Sequence, residues 1–306
     1  MSSTIQLPSG GGAPSGPAKD GLSGKMTKLG FGVPSMDVIN RLVVSLEAPE
    51  KMGKTHWALT APDPIAVVAT DTGSEEIVRK FLRAYPHRRI YVNNFAVPEK
   101  ADKSEMAEYH KEWKRMRDVI EAIRDDRYFR TIIGDTGTEI WELCRLAAFG
   151  KLSQVLPQHY VAVNAEFREV IKMLYARLDL NVILTHKIKK QYVAGKEGKD
   201  VWNGKWERSG FGDLPYLVDV NLQLRFASKK TADEIAQLES RPSLSETQGV
   251  PDPKAPWQGI DRFCMELKDC RQNPDVVGEV FRGDMCSFPW LGMLVFPQSD
   301  PMYWEG

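Results

Sequence analysis

No apolar run in this 306-residue chain approaches the roughly 20 residues that a bilayer-crossing helix needs; stretches such as Leu291 to Pro297 fall far short, so no membrane partner is expected. Neither sign of charge is in excess. With 41 Lys and Arg against 41 Asp and Glu, global electrostatics do not draw in a polyanion, and any nucleic-acid contact must come from a local patch. Cysteine is scarce. The four present form no CxxC pair, and a chain of this size needs no covalent staples, so reduced thiols in a cytoplasm are expected. The start Met1-Ser2-Ser3-Thr4 has neither a basic segment nor an apolar one, so no secretory signal is expected. No internal repeat is evident. What is present, 42% hydrophobic residues, suffices for a sizeable core.

Residues 1–25 hold five Ser, six Gly and three Pro, which cannot offset the entropy of ordering and predict a flexible arm. A single domain is expected over 26–306, with a polar, Pro-rich excursion or linker at 228–258. Apolar, β-rich runs at 42–46, 65–69, 90–95, 131–133, 181–184 and 218–226 alternate with amphipathic stretches at about 54–60, 74–84, 104–124, 138–149 and 158–178. The alternation predicts an α/β fold with a mostly parallel central sheet flanked by helices. Residues 263–267 and 276–281 predict a late antiparallel hairpin, and 291–296 a final helix or strand. The charged segment 105–127 reads as a helix with a solvated face.

The sharpest signal is Leu46-Glu47-Ala48-Pro49-Glu50-Lys51-Met52-Gly53-Lys54-Thr55, which follows a β-like run and opens a helical one. It is a GxxxxGK[ST] phosphate loop, Walker A, with Ala48 in place of the first glycine. Such a loop turns free backbone N–H groups and a helix dipole toward phosphate. Gly53 allows close backbone approach. The candidate nucleotide contacts are therefore Ala48, Pro49, Glu50, Lys51, Met52, Gly53, Lys54, Thr55 and His56. Lys54 bridges the terminal phosphates and Thr55 offers its hydroxyl to Mg²⁺.

A carboxylate is expected at the end of a neighbouring strand, and Thr131-Ile132-Ile133-Gly134-Asp135 supplies it: Asp135 is the Walker B acid and, with Thr55, the metal-site candidate. Hydrolysis also needs a group that orients water. The segment Thr70-Asp71-Thr72-Gly73-Ser74-Glu75-Glu76 offers Asp71 first and Glu75 second, although Glu75 and Glu76 also read as ordinary acids of a helix's first turn.

Together these motifs, with the strand Asn181-Val182-Ile183-Leu184-Thr185-His186 and the late Leu267-Lys268-Asp269-Cys270-Arg271, resemble the RecA-like P-loop ATPases over about residues 38–296. The chain looks most like the phage-encoded RecA/RadA-type proteins linked to single-strand annealing and recombination. The resemblance implies a RecA-like P-loop NTPase core, ATP with Mg²⁺, assembly into a ring or filament, and single-stranded DNA as partner. It places Thr185 and His186 where such proteins carry a γ-phosphate sensor, which makes His186 a catalytic candidate. It also implies that Lys268 and Arg271 reach a neighbouring subunit's ATP; a surface ion pair is the plainer reading. RecA-like proteins often carry Glu where this chain has Gly73, which bears on turnover. If phage-encoded, the protein acts in the host cytoplasm, and its arm could recruit a single-strand-binding protein.

Residues 187–208 hold seven Lys or Arg and three acids, a local charge of +4 in a neutral chain. Lys187, Lys189, Lys190, Lys199, Lys205 and Arg208 are interleaved with Tyr192, Trp202 and Trp206, and Phe211 follows. Cations that track a backbone beside aromatic faces that stack bases are the chemistry of a single-strand site. The rival reading is a β-hairpin whose aromatics pack on the core and whose lysines are merely solvated. The functional expectation is an ATP-hydrolysing protein of single-stranded DNA. The alternatives are a helicase-type motor, a non-hydrolysing nucleotide switch or scaffold, and a plain interaction protein.

Overall fold

The structure is a computed structural model that describes residues 28–29, 40–95, 97, 105–150, 156, 158–194, 200–226 and 263–305. The chain divides into two units, Met1–Ile39 and Asn40–Gly306, and every element named below belongs to the second. The expected arm at 1–25, the excursion at 228–258, Lys199 and the side chain of Lys205 lie outside the described residues.

The strands are β1 (Val43–Ala48), β2 (Ile65–Ala69), β3 (Ile90–Asn94), β4 (Thr131–Asp135), β5 (Asn181–Ala194), β6 (Asp200–Arg208), β7 (Val220–Phe226), β8 (Phe263–Cys270) and β9 (Val280–Arg282). They form one sheet in the order β3-β2-β4-β5-β1-β7-β8-β9, with β6 paired to β5. Pairs from β3 to β7 run parallel; β8, β9 and β6 are antiparallel additions. The fold class expected from the sequence is thus the one observed. The helices are α1 (Lys54–Ala58), α2 (Ser74–Ala84), α3 (Glu105–Asp125), α4 (Gly137–Phe149), α5 (His159–Ala176) and α6 (Phe288–Val295).

Alternation along each strand splits the core in two. Val44 and Leu46 of β1 face a cluster with Trp57 of α1, Phe81 of α2 and Phe288 and Leu291 of α6. Val43 faces the other, where Tyr109, Trp113, Met116, Ile120 and Ile123 of α3 join α4 and α5. The spacing of those α3 residues is a helical stripe, so the charged segment buries one face and solvates the other, as expected. Because β2, β4, β5 and β1 are consecutive in the sheet and run the same way, the loops that follow β1, β4 and β2 gather at one edge of the sheet.

Candidate functional site

The loop after β1 makes its turn with two left-handed residues, Lys51 at φ 59° and Gly53 at φ 78°. An added Cβ at Gly53 would meet only the ring of Phe263 at 3.6 Å, an ordinary contact, so φ rather than space is what demands glycine here. Lys54 lies back across the loop, its Nζ donating to the carbonyls of Ala48 at 3.0 Å and Pro49 at 2.9 Å. Burial lowers the pKa of this ammonium, against the pull of Asp135, Glu50 and Asp71 and with the push of Lys187.

Asp135 is the hub. It is 2% exposed, and its carboxylate accepts three hydroxyls: Thr55 Oγ1 at 2.9 Å and Ser74 Oγ at 2.6 Å on Oδ2, and Thr185 Oγ1 at 2.6 Å on Oδ1. The parallel register explains this convergence. Gly134 pairs with Leu184 and Ala69 with Asp135, so Asp135 at the end of β4, Thr185 within β5 and Ser74 after β2 meet beside α1. Thr55 and Asp135 are hard oxygen donors on facing elements, and such a donor set suits Mg²⁺.

Ser74 was not among the sequence candidates; at a helix start it reads as a routine polar residue, and only the neighbouring strands reveal its partner. Of the two water-orienting candidates, the structure separates the pair. Asp71 is exposed, holds the N–H of Gly73 at 3.0 Å, and acts electrostatically on both Lys54 and Lys187. Glu75 instead pairs with Arg79 and accepts from Asn94 Nδ2 at 3.0 Å, turned toward the end of β3. His56 lies edge-on to Phe81, its ring centroid 5.2 Å away, rather than in the loop.

His186 takes the opposite side of β5 from Thr185, as strand alternation requires, and lies 1% exposed against Gly137 at the start of α4. The proton of Thr138 Oγ1 goes to the Ser209 carbonyl at 3.1 Å, so the long 3.5 Å contact to His186 Nδ1 has the histidine as donor. Nε2 is then a buried lone pair without a partner among the described residues. Burial, with Arg208 and Lys54 nearby, lowers this pKa well below the usual histidine value. The imidazole is neutral and does not join the Asp135 cluster.

The basic stretch is a hairpin of β5 and β6. Lys190 pairs with Trp206 and Tyr192 with Trp202, which puts the four on one face, and Lys190 Nζ sits 5.1 Å from the Trp202 ring centroid. Tyr192, Trp202 and Trp206 are 56%, 45% and 49% exposed, so these aromatics do not pack into the core. Lys189 pairs with Glu207 at 3.3 Å on the reverse face. Two residues leave the expected set. Phe211 is buried against Phe167, and Arg208 turns inward to Ser45 Oγ at 2.8 Å and Asn221 Oδ1 at 3.3 Å. Lys187 pairs with Glu139 at 2.6 Å.

Lys268 pairs with Glu266 at 2.6 Å. Arg271 lies where β7 begins, its N–H donating to Asp219, whose own N–H donates to Val43 at the start of β1. Its guanidinium donates to the Tyr175 hydroxyl and the Tyr216 carbonyl, so Arg271 sits at the sheet end away from this chain's own phosphate loop.

Comparison with known proteins gives one family: that of the AAA domain matches residues 40–250. Among solved structures, the chain is similar to the RadB recombinase, at 14% identity over 79% of this chain and 86% of that one, with a TM-score of 0.39. It is also similar to a prototypical ATPase from the type III secretion system of pathogenic bacteria, at 14% identity over 66% of this chain and 54% of that one, with a TM-score of 0.40. Among curated proteins, no sequence matches this one.

Proposed function

The chain belongs to the AAA domain family, and from that premise we propose that it binds and hydrolyses ATP at residues 48–55 and acts on single-stranded DNA through the β5–β6 hairpin, in recombination or annealing of the phage type. The observation that carries the nucleotide reading is the 2.9 Å bond from Thr55 Oγ1 to Asp135 Oδ2, which sets the phosphate loop against the acid of a strand 80 residues later in the chain. In this reading Lys54 leaves the two carbonyls for the terminal phosphates and neutralises charge that develops there. Thr55 and Asp135 would hold Mg²⁺, which would supply positive charge to offset the negative charge of the phosphates. Asp71, the exposed carboxylate that acts on Lys54, orients the attacking water.

Support for the DNA reading is the exposed face of Lys190, Tyr192, Trp202 and Trp206, one cation beside three stacking platforms. Ring or filament assembly, with Lys268 reaching a neighbour, belongs to the same proposal. The test is ATP turnover with and without single-stranded DNA, in which stimulation is expected. A non-hydrolysing nucleotide switch is the second reading, favoured by Glu75 being tied to Arg79 and Asn94. It predicts binding with negligible turnover.

A further inference from the structure

By sequence Lys187 is one of several cations in a basic stretch, but the sheet gives it a place apart. In the parallel pair of β1 and β5 its Cα partner is Ala48, the first residue of the phosphate loop. Thr185, two residues back and so on the same side of the strand, donates to Asp135. Lys190, Tyr192 and the tryptophans occupy the other side of the hairpin. The Lys187 backbone is held from both directions: its N–H donates to Thr138 Oγ1 at 3.1 Å, and its carbonyl accepts from Ser209 N at 2.8 Å.

Only the side chain is left to move. It is 40% exposed and its Nζ meets Glu139 Oε1 at 2.6 Å. The same neighbourhood holds Asp71 and Glu50, and both of these act on Lys54 as well as on Lys187. Lys54 Nζ is held on the carbonyl of Ala48, the residue paired with Lys187, so two ammonium-bearing residues meet at the start of the phosphate loop, and like charges there disfavour each other until an anion comes between them. Glu139 can lose its partner without being stranded, because it lies in the first turn of α4, where the helix dipole favours a carboxylate. A half-exposed pair of this kind is weak, so a polyphosphate competes with it readily.

We propose that Lys187 is a second phosphate-binding ammonium of this site, held by Glu139 when no nucleotide is bound and exchanging that carboxylate for the terminal phosphate of a nucleoside triphosphate. The proposal rests on the nucleotide reading of residues 48–55 and adds the group that tells a triphosphate from a diphosphate. It also links the site to the hairpin, since Lys187 directly precedes Ile188, where pairing with β6 begins.

The test is calorimetric binding of ATPγS and of ADP to the full chain, for the wild type and for Lys187→Gln, Lys187→Arg and Glu139→Gln. Lys187→Gln is expected to weaken ATPγS about tenfold while ADP stays within about twofold. Lys187→Arg restores most of the loss, and Glu139→Gln leaves ATPγS binding as tight or tighter, because the competing carboxylate is gone. Equal losses for the two nucleotides, no loss, or a Glu139→Gln variant as weak as Lys187→Gln would overturn the proposal. If Lys187→Gln no longer melts cooperatively, the arginine variant and Glu139→Gln decide alone. A wild type that binds neither nucleotide refutes the reading of the loop itself, and this inference with it; a wild type that binds both equally refutes the inference only.

Discussion

Thr185 Oγ1 donates to Asp135 Oδ1 at 2.6 Å, and through that bond the strand that runs out into the aromatic hairpin is fastened to the acid facing the phosphate loop. Thr55 and Ser74 bind the other carboxylate oxygen, so four segments of the chain meet on one side chain. The phosphate loop and the hairpin are thereby connected through Asp135 and one strand.

Replacing Lys54 by Ala removes an ammonium whose hydrogen bonds among the described residues are to two loop carbonyls. ATP turnover should fall by about 10²-fold or more while the melting temperature changes little. Steady-state phosphate release measures this; unchanged turnover would remove the enzymatic reading.

Asp135→Ala leaves three hydroxyls without their acceptor, all on buried residues. Losing the centre of such a network is expected to destabilise the fold by about 3 kcal/mol, and Thr185→Val, which removes one donor, by about 1 kcal/mol. Urea unfolding followed by circular dichroism gives both numbers, and an Asp135→Ala midpoint equal to that of the wild type would show that the hub holds nothing.

The hairpin face predicts a different pattern. Trp202→Ala and Trp206→Ala should each weaken single-stranded DNA binding by about 1–3 kcal/mol without lowering the melting temperature, because both rings are about half exposed. Lys190→Ala should reduce the salt dependence of binding as well. Fluorescence anisotropy with a labelled oligonucleotide at several salt concentrations tests this. Loss of DNA affinity only in variants that also unfold would favour a structural hairpin.

Asp63 offers a pH signature remote from the site. Burial acts to raise its pKa, but the Arg89 N–H at 2.8 Å and the guanidinium groups of Arg88 and Arg89 outweigh it, so the carboxyl is held below its ordinary value. A depressed carboxyl contributes stability that is fully present above the unfolded-state value of about 4 and is lost as the pH falls through the lower folded value. Unfolding free energies measured from pH 6 down to pH 3 should fall less steeply in Asp63→Asn than in the wild type; parallel curves would contradict the assignment.

Much of this architecture is legible in the chain itself, for a physical reason. Strands such as β2 and β4 are buried on both faces, so they appear as short unbroken apolar runs, and the helix expected at 74–84 is observed as Ser74–Ala84. The phosphate loop and Asp135 are local motifs and were legible too. The hairpin was only half legible. Beyond Leu184 neither β5 nor β6 buries an apolar face, so alternation gave no signal, and β5 proved to be 14 residues long. Charge counting grouped Arg208 with the hairpin cations although its partners are Ser45 and Asn221, and grouped Phe211 with the exposed aromatics although it belongs to the core. Ser74 and the Lys187–Glu139 pair depend on which strands are neighbours, information that no window of sequence contains.

The length of β5 has a mechanical corollary. Its 14 residues span about 46 Å at roughly 3.3 Å each. β4 flanks it from Asn181 to Leu184 and β1 from Val182 to Lys187, and from Ile188 onward it pairs with β6. A beam anchored at one end and free at the other magnifies rotation at its root in proportion to its overhang. Slight tilting beside the phosphate loop would therefore sweep Tyr192 and its partner Trp202 through a wider arc than Lys190 and its partner Trp206, which lie nearer the root.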